Sequence, residues 1–140
     1  MEEKNITGIE TGGAGVVIVT GSSSGFGRLT AQALARQGYT VFATMRGIEG
    51  KNAAAATALR ELAARERLAL HPLELDVTDD ASVENAIGHV LAAAGRIDVV
   101  VNNAAVGYVG PIEGFTPEQV RAQFETNVVG VLRVNRAVLP

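Results

Sequence analysis

Thr20-Gly21-Ser22-Ser23-Ser24-Gly25-Phe26-Gly27 is the stretch that decides the fold. It follows a continuous β-branched run, Val16-Val17-Ile18-Val19, and opens an apolar-periodic segment at residues 26–37. A run of that kind suits a strand buried on both faces of a parallel sheet. A strand, a glycine-rich turn and a helix in succession bind phosphate in open α/β sheets, because free N–H groups at the helix start face the anion. The glycines are spaced by four and then by two. Gly21 supplies the sharp turn, Gly25 lets the backbone approach a pyrophosphate, and Gly27 lets the helix pack on the strand. The three serines add hydroxyl donors, with Ser23 and Ser24 placed to help at a phosphate. Taken alone, the same stretch also reads as a tight turn with no ligand. It is not a P-loop, since no Gly-Lys-Ser/Thr follows and the lysines are Lys4 and Lys51.

Outward from this turn, strand and helix alternate. Gly38 closes the first helix as its C-terminal cap. Residues 39–44 read as a second strand, 52–67 as a second helix and 70–75 as a third strand. Val83, Ala86, Ile87, Val90, Leu91 and Ala94 lie on one face of a third helix. Residues 97–101 form a fourth strand, followed by a longer loop over 107–114. Thr116 as N-cap, Pro117 in the first turn and Gln119 three residues on start a fourth helix. That helix is expected to carry Val120, Phe124, Val128, Val131 and Leu132 inward and to stop at Leu139-Pro140. Four such units predict an α/β fold with a doubly wound parallel sheet, Rossmann-like. Residues 1–15, polar and glycine-broken, read as a mobile tail ahead of a single domain at 16–140.

Composition narrows the function classes. The chain has 140 residues, 47% hydrophobic and 19% charged, which suits one globular domain and argues against disorder throughout. With no cysteine, a disulfide scaffold, a thiolate zinc site and a cysteine nucleophile are excluded. His71 and His89 have no ligand partners in sequence, so no metal site is expected. A net charge of −3 argues against a nucleic-acid surface. No apolar run reaches a membrane span and no secretory signal opens the chain, so a cytoplasmic domain is expected.

Three further segments succeed the glycine turn in order: Leu75-Asp76-Val77, Asn102-Asn103-Ala104-Ala105 and Asn127-Val128-Val129-Gly130. With Thr20-Gly21-x-x-x-Gly25-x-Gly27 they resemble the short-chain dehydrogenase/reductase family over residues 16–140. The resemblance implies a nicotinamide dinucleotide held by Gly21, Ser23, Ser24, Gly25, Phe26 and Gly27. Asp76 and Val77 would meet the adenine; a helix cap near Asp79 is the structural alternative for Asp76. Asn103, Ala104 and Ala105 would line the ribose and nicotinamide side. The family pattern ends in glycine where this chain has Ala105, whose methyl would tighten the pocket or require a backbone shift. Asn127 would organise a water-linked proton relay; as a plain core asparagine it would bond its own helix backbone.

Met45 lies twenty residues past Gly25, where NAD binders place an acid for the ribose hydroxyls. Here an apolar residue stands there with Arg46 beside it. A guanidinium pairs with a 2′-phosphate, so NADP(H) is expected over NAD(H). A solvated surface arginine is the bland account.

The family's chemistry is hydride transfer between nicotinamide and an alcohol or ketone, using a tyrosine, a lysine four positions later, and a serine. Tyr39 and Tyr108 have Ala43 and Ile112 at that spacing, and no serine follows Ser82. The chain is therefore expected to be the amino-terminal, cofactor-binding part of an oxidoreductase, inactive alone, with residues 97–101 as an exposed apolar edge. A non-catalytic dinucleotide-binding or regulatory module is the other reading. Thr44-Met45-Arg46 and residues 106–113 look like the steroid- and retinol-type members, which implies an apolar small-molecule substrate. The resemblance also implies a homo-oligomer built partly on the fourth helix.

Overall fold

A computed structural model describes residues 13–139, so most of the expected tail lies outside the described residues. Ala14 and Gly15, assigned to that tail, join the body: Ala14 N donates to Gly38 O and Thr40 N donates to Gly15 O.

Four parallel strands form one sheet, β1 (Val16–Val19), β2 (Thr40–Met45), β3 (Leu70–Glu74) and β4 (Val99–Val101), in the order β3-β2-β1-β4. The chain winds outward from β1 through β2 to β3, then crosses back to put β4 on the other side of β1. A crevice opens where the winding reverses, at the carboxyl ends of β1 and β4. Pro72 fits in β3 because that strand is at the sheet edge.

Alternation along the strands splits the core into two layers. Val17, Val19, Val41, Ala43 and Met45 pack with Ala31 and Ala35 of α1 (Gly25–Arg36) and with Ala56, Leu59 and Leu62 of α2 (Ala53–Glu66). Val16, Ile18 and Phe42 face the opposite way, onto Val83, Ala86, Ile87 and Val90 of α3 (Asp80–Ala94) and Val134 of α5 (Gly130–Val138). The sheet is doubly wound, as expected. Leu91, counted on the inner face of α3, is 46% exposed.

Local signals set the helix ends. Gly38 follows α1 at φ +87, and α3 is capped by the Asp79 carboxylate on Ser82 N at 3.0 Å and ends at Gly95, φ +72. Thr116 and Gln119 form the reciprocal capping box of α4 (Pro117–Phe124).

The expected single fourth helix is corrected. It is α4, a π turn over Glu125–Val129, and then α5. One extra residue in the turn rotates the downstream helix by about 100°, so positions counted at 3.6 across the break no longer share a face. Val120, Phe124, Val128 and Leu132, expected inward, are 44–60% exposed, and Val131 is half-buried. The buried positions of α5 are instead Gly130 and Val134.

Candidate functional site

All four strand ends contribute to one cleft of about 460 Å³. Its lining includes Gly21, Ser23 and Ser24 after β1, Met45 and Arg46 at the end of β2, and Leu75–Thr78 after β3. Asn103, Ala104, Ala105 and Val106 after β4 complete the wall, with Thr126 from the π turn.

The glycine turn is held by β4. Asn103 Nδ2 donates to both Thr20 O and Gly21 O at 3.0 Å. The Thr20 hydroxyl accepts from Asn103 N and Ala104 N at 3.0 Å. This clamp explains two glycines. A Cβ on Gly21, at φ +68, would stand 2.7 Å from Ala104 Cα, and one on Gly27 would run into Asn103 Nδ2 and Gly21 O. Gly25 differs: φ is +55, but its Cβ would meet nothing within 4 Å. Gly21 and Gly27 thus bring the turn and α1 close together, whereas the space over Gly25 stays open.

The serines divide in the same way. Ser22, expected among the hydroxyl donors, is fully buried and bonds Val19 O at 2.8 Å, so it is structural. Ser23 and Ser24 line the cleft, and Ser24 caps α1 without using its side chain. Phe26 is 83% exposed, and Gly25, Phe26 and Gly27 lie outside the cleft lining.

Asp76 is not the cap of α3; Asp79 is. The Asp76 carboxylate accepts from Thr78 N at 2.9 Å and from its hydroxyl at 2.7 Å. Partial burial pushes this carboxyl upward, but the two Thr78 donors, with the charges of Arg46 and Lys51, outweigh it and hold the group below its ordinary range. Val77 packs on α5, where a Cβ on Gly130 would lie 2.9 Å from Val77 Cγ2. Arg133 braces the same joint by donating to Val77 O, Asp80 and Glu125.

Asn127, half-buried, turns its amide to the loop after β4 and not to its own helix. Its Oδ1 accepts from Val106 N at 2.9 Å and its Nδ2 donates to Val106 O at 2.8 Å. The amide ties the π turn to the loop after β4. Ala105 needs no strained backbone, because Arg67 is the one non-glycine at positive φ among the described residues.

Sequence reasoning missed Lys51 and Asn52, which line the cleft beside Arg46, and Thr126. It also missed Thr20 as the clamp's acceptor, although Thr20 opens the glycine motif. Asp98, just before β4, accepts Val16 N at 2.8 Å and pairs with Arg96. Among the described residues, no group of His, Asp and Glu could hold a metal and no helix is long and apolar enough to cross a membrane.

Comparison with known proteins agrees with this geometry. The family described as short chain dehydrogenase matches residues 15–140. An uncharacterised oxidoreductase of Bacillus subtilis is 46% identical over 127 residues, covering 89% of this chain and 43% of that protein. Retinol dehydrogenase 8 of Bos taurus is 41% identical over 127 residues, covering 89% of this chain and 39% of its own length. A gluconate 5-dehydrogenase from Burkholderia cenocepacia, solved in complex with NADP and tartrate, superposes with TM-score 0.77 at 33% identity. That superposition covers 89% of this chain and 47% of the other. The chain spans less than half the length of these relatives. A glycine turn clamped by Asn103, a cleft across four parallel strand ends and a family match over nearly every residue lead to one conclusion: this chain belongs to the short-chain dehydrogenase family of oxidoreductases.

Proposed function

We propose that this chain is the cofactor-binding part of an NADP(H)-dependent oxidoreductase acting on an alcohol or ketone in the cytoplasm, as a homo-oligomer. The observation that carries the proposal is the end of β2: Arg46 lines the cleft, while Met45, at the place of the NAD binders' acid, is 2% exposed. A guanidinium there suits a 2′-phosphate, and a carboxylate would repel it.

The residues fit a dinucleotide. Open space over Gly25 admits a pyrophosphate to the backbone at the start of α1, with Ser23 and Ser24 as hydroxyl donors and Gly21, Phe26 and Gly27 completing the turn. Asp76, ionised and already oriented by Thr78, would accept from the adenine amino group beside Val77. Asn103, with its side chain spent on the clamp, presents backbone together with Ala104 and Ala105 to the ribose and nicotinamide side. Asn127 holds the Val106 backbone and would position a water for proton transfer. NADP(H) supplies the hydride chemistry at nicotinamide C4. We assign 16–140 to this domain; of the 1–15 stretch read as a tail, Ala14 and Gly15 are bonded to it.

Arg46→Asp tests the proposal by calorimetric titration of NADPH and NADH. The NADPH/NADH affinity ratio should fall at least about tenfold, equivalent to about 1.4 kcal/mol; an unchanged ratio would overturn the assignment. A second reading, a non-catalytic module, is favoured by one observation. No Tyr-x-x-x-Lys occurs within these 140 residues. Saturable NADPH binding by the intact protein with no turnover on a carbonyl panel would establish that module.

A further inference from the structure

The turn between β2 and α2 is more heavily built than a surface loop needs. Gly47 N and Ile48 N donate to the two carboxylate oxygens of Glu74 at 2.8 and 2.7 Å. Gly50 N and Asn52 N both reach Gly47 O at 3.0 Å, and Asn52 Nδ2 bonds Arg46 O at 2.7 Å. The backbone on both sides of Arg46 is therefore fixed. Glu74 spends its charge on turn amides, next to a cleft that would otherwise take an anion with difficulty.

This turn also folds Lys51 back. Gly47 sits at φ +63, and a Cβ there would lie 3.2 Å from Lys51 Cγ, so the lysine stem crosses directly over the glycine. Lys51 thereby lines the same cleft as Arg46, Ser23 and Ser24. Asp76, on the same cleft, has its carboxyl pKa lowered in part by the charges of both Arg46 and Lys51.

We infer that Lys51 is the second cation of a two-cation clamp for a ribose phosphomonoester, with Arg46 as the first and Gly47 as the hinge that folds Lys51 into place. The inference rests on the NADP(H) proposal above. A phosphomonoester carries about −1.5 to −2 charges near neutral pH, more than one guanidinium balances. Arg46 offers a planar fork of donors, and Lys51 adds a compact charge from the other side of the turn.

The test uses calorimetry on the intact protein with NADPH, NADH and adenosine 2′,5′-bisphosphate. Lys51→Ala should weaken NADPH and the bisphosphate about fivefold or more, leave NADH within about twofold, and lower the salt dependence of NADPH binding. Gly47→Ala should weaken NADPH in the same selective way with Lys51 intact. Equal effects on NADPH and NADH, or no effect on either, would overturn the role of Lys51. If Arg46→Ala lowers the NADPH/NADH ratio while Lys51→Ala does not, the clamp fails and the NADP(H) proposal stands. If wild type and Arg46→Ala both bind NADPH and NADH alike, the NADP(H) proposal fails and the clamp with it.

Discussion

Replacing Gly27 with alanine would set a methyl against the Gly21 carbonyl and the Asn103 amide, the two groups that close the turn on β4. Displacing the amide forfeits its bonds to Thr20 O and Gly21 O, a loss of about 2 kcal/mol. Forcing a methyl into a packed contact costs about 1–3 kcal/mol, while alanine's helix preference returns about 1 kcal/mol. The net destabilisation is about 2–4 kcal/mol, a drop in melting temperature on the order of 10 °C for a domain of this size. Gly25→Ala is the matched control. Its φ of +55 carries a cost of about 1–2 kcal/mol, partly offset by a stiffer unfolded chain, but no neighbour is displaced. Its melting temperature should stay within a few degrees of wild type, whereas NADPH affinity should fall about tenfold as the methyl enters the open side of the turn. Thermal melting by circular dichroism and NADPH titration separate the two effects. Equal melting losses for both variants would refute the division between a packing glycine and a ligand glycine. Undiminished NADPH binding by Gly25→Ala would refute the pyrophosphate assignment.

Three other perturbations address separate parts of the molecule. Asn127→Ala leaves the Val106 N–H and carbonyl without their partner, at about 1–3 kcal/mol, and amide hydrogen exchange at Val106 should accelerate. Asp76 has a lowered pKa in the folded state, so its stabilisation is present above the unfolded carboxylate value of about 3.9 and is lost as pH falls through the lower folded value. Asp76→Asn should therefore flatten the fall in melting temperature below about pH 4; parallel curves would show that the charge of Asp76 adds nothing over a neutral acceptor. Arg67 ends α2 in the left-handed region at φ 55, and Arg67→Gly should raise the urea midpoint by about 0.5–1 kcal/mol of stability with an unchanged slope.

The features legible in the sequence are the local ones. Val16–Val19 is a strand as its β-branched run indicates, and the Thr116–Gln119 capping box forms as spaced. Gly21, Ser23, Ser24, Arg46, Asp76 and Asn103 meet in one cleft because each follows a parallel strand, which topology guarantees once the alternation is recognised. The misses depend on pairings across the chain. Asn103 and Thr20, and Asn127 and Val106, are partners over 83 and 21 residues, and nothing in either neighbourhood announces the other. The inward face assigned to the fourth helix failed past Phe124 because periodicity presumes a constant turn, and at Val120 and Phe124 because α4 itself buries no residue. Lys51 passed unnoticed because its approach to the cleft depends on Gly47 having no side chain, a property of the turn that its lysine does not reveal.

The π turn has a consequence for how this site could change. A surplus residue in a helix is a whole number: it is present or absent, and no gradual adjustment of side chains removes it. Deleting one residue from Glu125–Val129 would let α4 run smoothly into α5, turning one relative to the other by about 100°. Gly130 on Val77 and the Asn127 amide on Val106 could not then be kept together, even with every functional side chain present. The placement of that amide is thus encoded in a residue count, and substitutions alone would leave the count untouched.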